Sequence, residues 1–115
     1  MGLNLVVVNG RKSGQVIPVV GRRFVIGRSE DCHIRLYSET VSRYHCAIIA
    51  EEGEDVIVYD LGSKNGVHVN GHRIPPDYEH PLKEGDLLKV GVLLFAVRFS
   101  PTEKRQDDCC IRLWA

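Results

Sequence analysis

Hydrophobic residues along the chain occur in short runs that are separated by turn-forming residues. The first run, residues 3–8, is rich in β-branched residues and is followed by Asn9-Gly10, a pair that favours a tight turn between strands. None of the later runs shows the sustained 3.6-residue period of an amphipathic helix. We therefore predict strands over residues 3–8, 15–20, 22–26, 33–36, 46–50, 56–59, 67–69, 87–90 and 93–99.

Many short strands with turns at regular intervals are typical of a β-sandwich or barrel. Pro18 lies in the second predicted strand and has no backbone N–H, so we expect that strand to lie at a sheet edge or to contain a bulge. Residues 51–54 are predicted to form an acidic turn. A length of 115 residues fits one domain, which we assign to residues 1–100, followed by a polar, flexible tail over residues 101–115.

Composition narrows the classes of partner. Lys plus Arg and Asp plus Glu are 15 each, which argues against bulk nucleic-acid binding because that requires a basic excess. No apolar run approaches the roughly 20 residues of a membrane-spanning helix, and no signal peptide opens the chain. The four cysteines follow neither a metal-binding nor a disulfide pattern. We expect a cytoplasmic monomer with no metal or cofactor and with neither nucleic acid nor membrane as its partner.

Three polar clusters lie at predicted strand ends or in loops. They are Gly27-Arg28, residues 42–45 and residues 60–66. In a sandwich the loops gather at the two ends of the sheets, so loops that are distant in sequence can form one site.

These clusters contain what a phosphate monoester needs, since such a group carries about −1.5 to −2 charges and three acceptor oxygens. Arg28 offers two parallel hydrogen bonds, and Ser42 offers a hydroxyl. Arg43 and Lys64 add positive charge. The side-chain amide of Asn65 has donors and an acceptor, which suits contact with a peptide backbone.

The order and spacing of the clusters resemble the forkhead-associated (FHA) domain, whose pattern is Gly-Arg, then Ser-x-x-His, then Asp-x-x-Ser-x-Asn-Gly. The chain carries Gly27-Arg28, Ser-Arg-Tyr-His over residues 42–45 and Asp-Leu-Gly-Ser-Lys-Asn-Gly over residues 60–66. The resemblance extends over residues 3–99. It implies an all-β fold, an eleven-stranded antiparallel β-sandwich that binds phosphothreonine peptides at its loop end.

The resemblance also implies a role for each matching residue. Arg28, Ser42, Arg43 and Lys64 would bind the phosphate, and Asn65 would bind the main chain of the ligand. The structural residues of the motif would be Gly27, His45, Gly66, Asn70 and Gly71, with His45 bracing the loop that presents Ser42.

Two positions depart from the family pattern. Many members carry Thr or Arg where this chain has Lys64, and many carry Thr where it has Val67. FHA domains hold the methyl group of phosphothreonine in a small apolar niche. Residues 64–67 and the region around Asn70 are the candidates for that niche.

Three other kinds of function are conceivable for these residues: a hydrolase, a zinc site and a phosphate-independent interaction module. A hydrolase built on Ser42 and His45 is disfavoured because the chain lacks a nucleophile-elbow motif, so no catalytic residue is assigned. Cys46 beside His45 matches no zinc pattern and is expected to face the core. A phosphate-independent interaction or assembly module stays open, since a sandwich can bind through a sheet face or an edge strand. The predicted function is a phosphothreonine-binding signalling adaptor that is not an enzyme.

Overall fold

A computed structural model of the chain describes residues 2–50, 55–100 and 111–114, with the backbone alone for Ser100 and Trp114. The predicted acidic turn over residues 51–54 and the charged run over residues 101–110 lie outside these residues. Every regular element in the described segments is a β-strand. Those segments accordingly hold no helix long and apolar enough to cross a membrane.

The described residues form twelve strands in two sheets. Their bounds are β1 Gly2–Val7, β2 Val16–Val19, β3 Arg23–Gly27, β4 Ile34–Tyr37, β5 Cys46–Ile49, β6 Ile57–Asp60, β7 Val67–Val69, β8 His72–Arg73, β9 His80–Pro81, β10 Leu87–Val90, β11 Leu93–Ser100 and β12 Ile111–Trp114. The first sheet has the order β2-β1-β11-β10-β7-β8, and the second has the order β12-β4-β3-β5-β6-β9. The predicted all-β sandwich is confirmed.

The alternation of side chains along the strands creates the core between the sheets. Leu3, Leu5 and Val7 of β1 are buried and alternate with partly exposed residues, because successive side chains of a strand point to opposite faces. Phe95 of β11 is fully buried in the same core. Burying one such large apolar side chain contributes about 1.5–3 kcal/mol. Cys46 is also fully buried, as predicted, and burial raises the pKa of its thiol far above the usual range.

Two sequence signals have the structural outcome expected of them. Pro18 of β2 pairs with Asn4 of β1, and β2 is the edge strand of the first sheet. The missing N–H of Pro18 therefore interrupts no pairing inside the sheet. Asn70 and Gly71 form the turn between β7 and β8 with φ values of 53° and 84°. Positive φ at both central residues is what a two-residue hairpin turn of this kind requires.

The structure differs from the expected sandwich in strand number and direction. β12 adds a twelfth strand, and β4 pairs in parallel with both β3 and β12. Residues 111–114, which were assigned to the tail, therefore form a strand of the second sheet. The reason is their alternation: Leu113 is 1% exposed and packs into the core beside β4. The two-residue strands β8 and β9 also lie where no strand was predicted.

The strand directions bring several connections to one end of the sandwich. β3, β4, β6 and β10 end there, while β5, β7 and β11 begin there. We call this the loop end, and it comprises residues 8–15, 28–33, 38–45, 61–66 and 91–92.

Candidate functional site

The β3–β4 and β4–β5 connections are joined by backbone hydrogen bonds just after β3. The N–H of Arg28 donates to the carbonyl of Ser42, and the N–H of Ser29 donates to the carbonyl of Arg43, each at 3.0 Å. Gly27 lies directly against that Arg43 carbonyl, and a Cβ atom at residue 27 would overlap with it. A glycine is therefore required here by close backbone approach.

The side chain of Arg28 extends across the β4–β5 loop. Its Nε donates to the carbonyl of Val41 at 3.0 Å, which is one residue before Ser42. The residue is exposed, and its two terminal guanidinium nitrogens have no hydrogen-bond partner among the described residues. Arg28 can therefore present both of them to an anion beside Ser42.

Ser42 is the point where three loops meet. Its carbonyl accepts from Arg28, and its N–H donates to Nδ1 of His45 at 3.0 Å. Its Oγ accepts from the backbone N–H of Lys64 at 3.0 Å. Because Oγ is an acceptor in that bond, the hydroxyl hydrogen can still donate to a ligand.

His45 connects the β4–β5 loop to the β6–β7 loop from inside the protein. Its Nδ1 accepts from Ser42, so the proton of the neutral ring lies on Nε2, which donates to the carbonyl of Gly66 at 2.8 Å. The side chain is 0% exposed, and this burial lowers its pKa although the bond to Gly66 acts in the opposite direction. His45 is therefore a neutral link between the two loops.

The β6–β7 loop is shaped by two side chains for which the sequence analysis gave no role. Oδ1 of the buried Asp60 accepts from the N–H groups of Gly62 at 3.0 Å and Ser63 at 2.7 Å. Oγ of Ser63 accepts from the N–H of Gly66 at 3.0 Å. An Asp side chain that accepts from the backbone N–H groups two and three positions later forms an Asx turn. The sequence Asp-Leu-Gly-Ser over residues 60–63 could have indicated this role, because Asp, Gly and Ser favour such turns.

The remaining candidate residues surround Ser42. The Asn65 amide donates to the carbonyl of Thr40 at 2.9 Å, which connects the β6–β7 loop to the β4–β5 loop a second time. Lys64 is exposed. Arg43 is exposed and near Asp31, whose pKa is lowered by hydrogen bonds from Ser29 and Tyr44 and, to a smaller extent, by the charge of Arg43.

The β10–β11 turn supports the β4–β5 loop from the opposite sheet. Gly91 approaches Thr40 and Val41 so closely that a Cβ atom would lie 2.6 Å from a side-chain atom of each. This packing was not predicted from the sequence, because it joins positions about fifty residues apart.

Asn70 and Gly71 lie away from this site. Asn70 donates to Oδ1 of Asp86 at 3.0 Å and accepts from the N–H of Leu87 at 2.9 Å, so it braces the start of β10, and β10 ends at the loop end. A structural role fits this position. The region around Asn70 is therefore not beside Arg28 and Ser42, whereas residues 64–67 follow directly on the loop that meets Ser42, and the niche itself stays a prediction.

The assembled site has the chemistry of an oxyanion receptor. A guanidinium, a hydroxyl donor and an ammonium group come from three loops that backbone and side-chain hydrogen bonds hold together. Charge-assisted hydrogen bonds of this kind are stronger than neutral ones and favour a doubly charged group.

Known proteins share sequence and fold with this chain. The transcriptional regulatory protein EmbR of Mycobacterium tuberculosis is 38% identical over 78 residues, which are 68% of this chain and 19% of EmbR. The chain thus spans about a fifth of the length of that relative. The structure of EmbR in complex with a low affinity phosphopeptide has a TM-score of 0.78 at 31% identity and covers 90% of this chain and 26% of that chain.

A second solved structure comes from a structural and functional analysis of phosphothreonine-dependent FHA domain interactions. It has a TM-score of 0.77 at 30% identity and covers 89% of this chain and 100% of that chain. The family model of the FHA domain matches residues 24–91, an interval that runs from β3 to the β10–β11 turn and includes every loop that meets at Ser42. Because that match takes in more than half of the sequence, the chain belongs to the FHA domain family, a family of non-catalytic, phosphothreonine-binding modules.

Proposed function

We propose that this chain binds phosphothreonine in partner proteins and acts as a signalling adaptor. Arg28, Ser42 and Lys64 bind the phosphate, Arg43 adds positive charge at its rim, and Asn65 binds the main chain of the ligand. The observation that carries the proposal is the meeting of three loops at Ser42, whose carbonyl, N–H and Oγ bond to Arg28, His45 and Lys64 in turn.

The physical argument is preorganisation. The loops are already hydrogen-bonded to one another, so a phosphate binds without first ordering them. The solved EmbR complex with a phosphopeptide supports the same ligand class for a relative of similar fold. A phosphate also gives what a carboxylate does not, a charge near −2 with three acceptor oxygens for three separate donors.

The test is a pair of peptides that differ only by the phosphate. A degenerate phosphothreonine library identifies a binding sequence, and calorimetry then compares that peptide with its unphosphorylated twin. Two or more charge-assisted hydrogen bonds are lost with the phosphate, so the twin should bind about 100-fold more weakly or worse. Equal affinity of the two peptides would contradict the proposal.

One observation favours the alternative of a phosphate-independent interaction module. Val16 and Leu87 are 57% and 39% exposed on the outer face of the first sheet. The partly exposed Val6 and Ala96 lie between them in the strand register, so an apolar row crosses four strands. Under this alternative, partner binding is unaffected by phosphatase treatment and is lost in Val16→Glu. The proposed function predicts that phosphatase treatment abolishes binding and that Val16→Glu retains it.

A further inference from the structure

β12 places an arginine directly opposite another arginine. In the parallel pairing of β12 with β4, Arg112 is the register partner of Arg35. Both point to the outer face of the second sheet, because their neighbours Ile34, Leu36 and Leu113 point into the core. Adjacent strands are about 4.8 Å apart, so the two side chains are close neighbours.

Arg35 also contacts the backbone of Arg28, a residue of the proposed phosphate site. Its Nε donates to the carbonyl of Arg28 at 3.0 Å, and its guanidinium lies 4.6 Å above the ring centre of Tyr37. These two contacts hold the guanidinium beside the backbone of Arg28, and among the described residues its terminal nitrogens have no hydrogen-bond partner. A third arginine, from the C-terminal strand, then lies next to it.

Like charges directly opposite each other destabilise a sheet pair. Neither Arg35 nor Arg112 forms an ion pair with an acidic residue in the part of the chain that the structure describes. An anion held between the two guanidinium groups would offset the repulsion, and each arginine can offer it two parallel hydrogen bonds.

We propose that Arg35 and Arg112 form a second anion subsite, which binds one further negatively charged group, a carboxylate or a phosphate, on the same phosphothreonine peptide. The proposal rests on the proposed function. An extended peptide advances about 3.3–3.6 Å per residue. Because Arg35 is bonded to the backbone carbonyl of Arg28, the second charge should lie within about four residues of the phosphothreonine. Strand β12 is then part of the ligand-binding surface.

The experiment uses the full chain and a phosphothreonine peptide with neutral flanking residues. Glutamate is introduced at one flanking position at a time, up to four residues on either side, and each affinity is measured by calorimetry at one salt concentration. At one position or two adjacent ones the wild type should bind about threefold to fivefold more tightly. Phosphoserine at that position then shows whether a second phosphate is preferred over a carboxylate.

The variants isolate the subsite from the phosphate site. Arg112→Gln should abolish the gain from glutamate and leave the affinity for the neutral peptide unchanged. Arg23→Gln is the matched control, since Arg23 is an exposed arginine at the start of β3, away from the loop end, and it should retain the gain. Thermal melting should not fall in Arg112→Gln, because removing one of two like charges relieves repulsion.

Four outcomes decide the inference. A gain from glutamate that depends on Arg112 but not on Arg23 supports it. Binding of the neutral phosphopeptide with no gain that depends on Arg112 overturns it and leaves the proposed function intact. A lower melting temperature in Arg112→Gln with equal weakening of all peptides also overturns it, since Arg112 would then be structural. Failure of the wild type to bind any phosphothreonine peptide ends both proposals.

Discussion

Replacing His45 by alanine tests whether the loops of the site depend on a buried link. The substitution removes both ring nitrogens and leaves the N–H of Ser42 and the carbonyl of Gly66 without their partner. Each unsatisfied buried group costs about 1–2 kcal/mol. We therefore expect the free energy of unfolding to fall by about 2–4 kcal/mol.

Urea denaturation followed by far-ultraviolet circular dichroism measures this loss. For a domain of this size, 1 kcal/mol shifts the melting temperature by about 4 °C, so melting should fall by about 8–16 °C. His72→Ala is the matched control, because His72 is exposed on the short strand β8 and away from the loop end. It should melt like the wild type.

The pH dependence gives an independent check on the same link. Burial lowers the pKa of His45 in the folded protein, whereas in the unfolded chain it is near the ordinary value of about 6.5. As the pH falls below about 6.5, the unfolded chain takes up a proton that the folded protein does not, so the contribution of His45 is present above this pH and is lost below it. The stability difference between wild type and His45→Ala should therefore shrink between pH 7.5 and pH 5.5.

The reasoning is refuted if His45→Ala melts like the wild type while phosphopeptide binding disappears. That result would make His45 a ligand contact instead of an internal link. A stability difference that stays constant across the pH range would show that the ring is not held neutral by the protein.

The remaining predictions concern the phosphate site. Arg28→Ala should lower phosphopeptide affinity by about 2–5 kcal/mol in calorimetric titration with little change in melting, and Arg23→Ala should not; near-wild-type affinity would remove Arg28 from the site. Phosphothreonine should bind about tenfold more tightly than phosphoserine in one peptide, since burying the methyl contributes about 0.8 kcal/mol and the branched side chain loses less rotamer freedom. Equal affinities would mean that the site recognises charge alone. Gly27→Ala should lower the free energy of unfolding by about 1–3 kcal/mol in urea denaturation, because its Cβ overlaps with the Arg43 carbonyl; an unchanged free energy of unfolding would contradict the close approach.

The apolar runs of the sequence predict the long strands well, because local alternation reports which face of a strand is buried. The strand observed as Leu93–Ser100 was predicted over residues 93–99. β8 and β9 have two residues each, too few for any periodicity. β12 was missed since it follows a charged run and its four residues give only a brief alternation, and its place in the sheet depends on pairing with the distant strand β4.

In the site, too, residues that belong to a local motif were predicted, and residues that only the fold brings together were missed. The ordered motifs identified Arg28, Ser42 and Lys64, and the backbone N–H groups of Arg28 and Lys64 both donate to Ser42 in the structure. Arg35 and Arg112 were not found, because their proximity depends on the register of a parallel pair and on a crossover outside any motif. Asn70 was assigned a structural role, but the region around it was also a candidate for the methyl niche, although β7 carries that region away from the loop end.

The pairing of β1 with β11 sets the order in which a growing chain can fold. Gly2 pairs with Ser100 and Val7 with Phe95, so β1 lacks one of its two neighbours until synthesis has reached β11, about ninety residues further along the chain. At about 5–20 residues per second, synthesis leaves Leu3, Leu5 and Val7 without that neighbour for about 5–20 s. In the second sheet β5 and β6 are consecutive and can pair at once. In nascent chains, hydrogen exchange should therefore protect the β5–β6 pair before the β1–β11 pair, and chaperones that bind exposed apolar strands should contact β1.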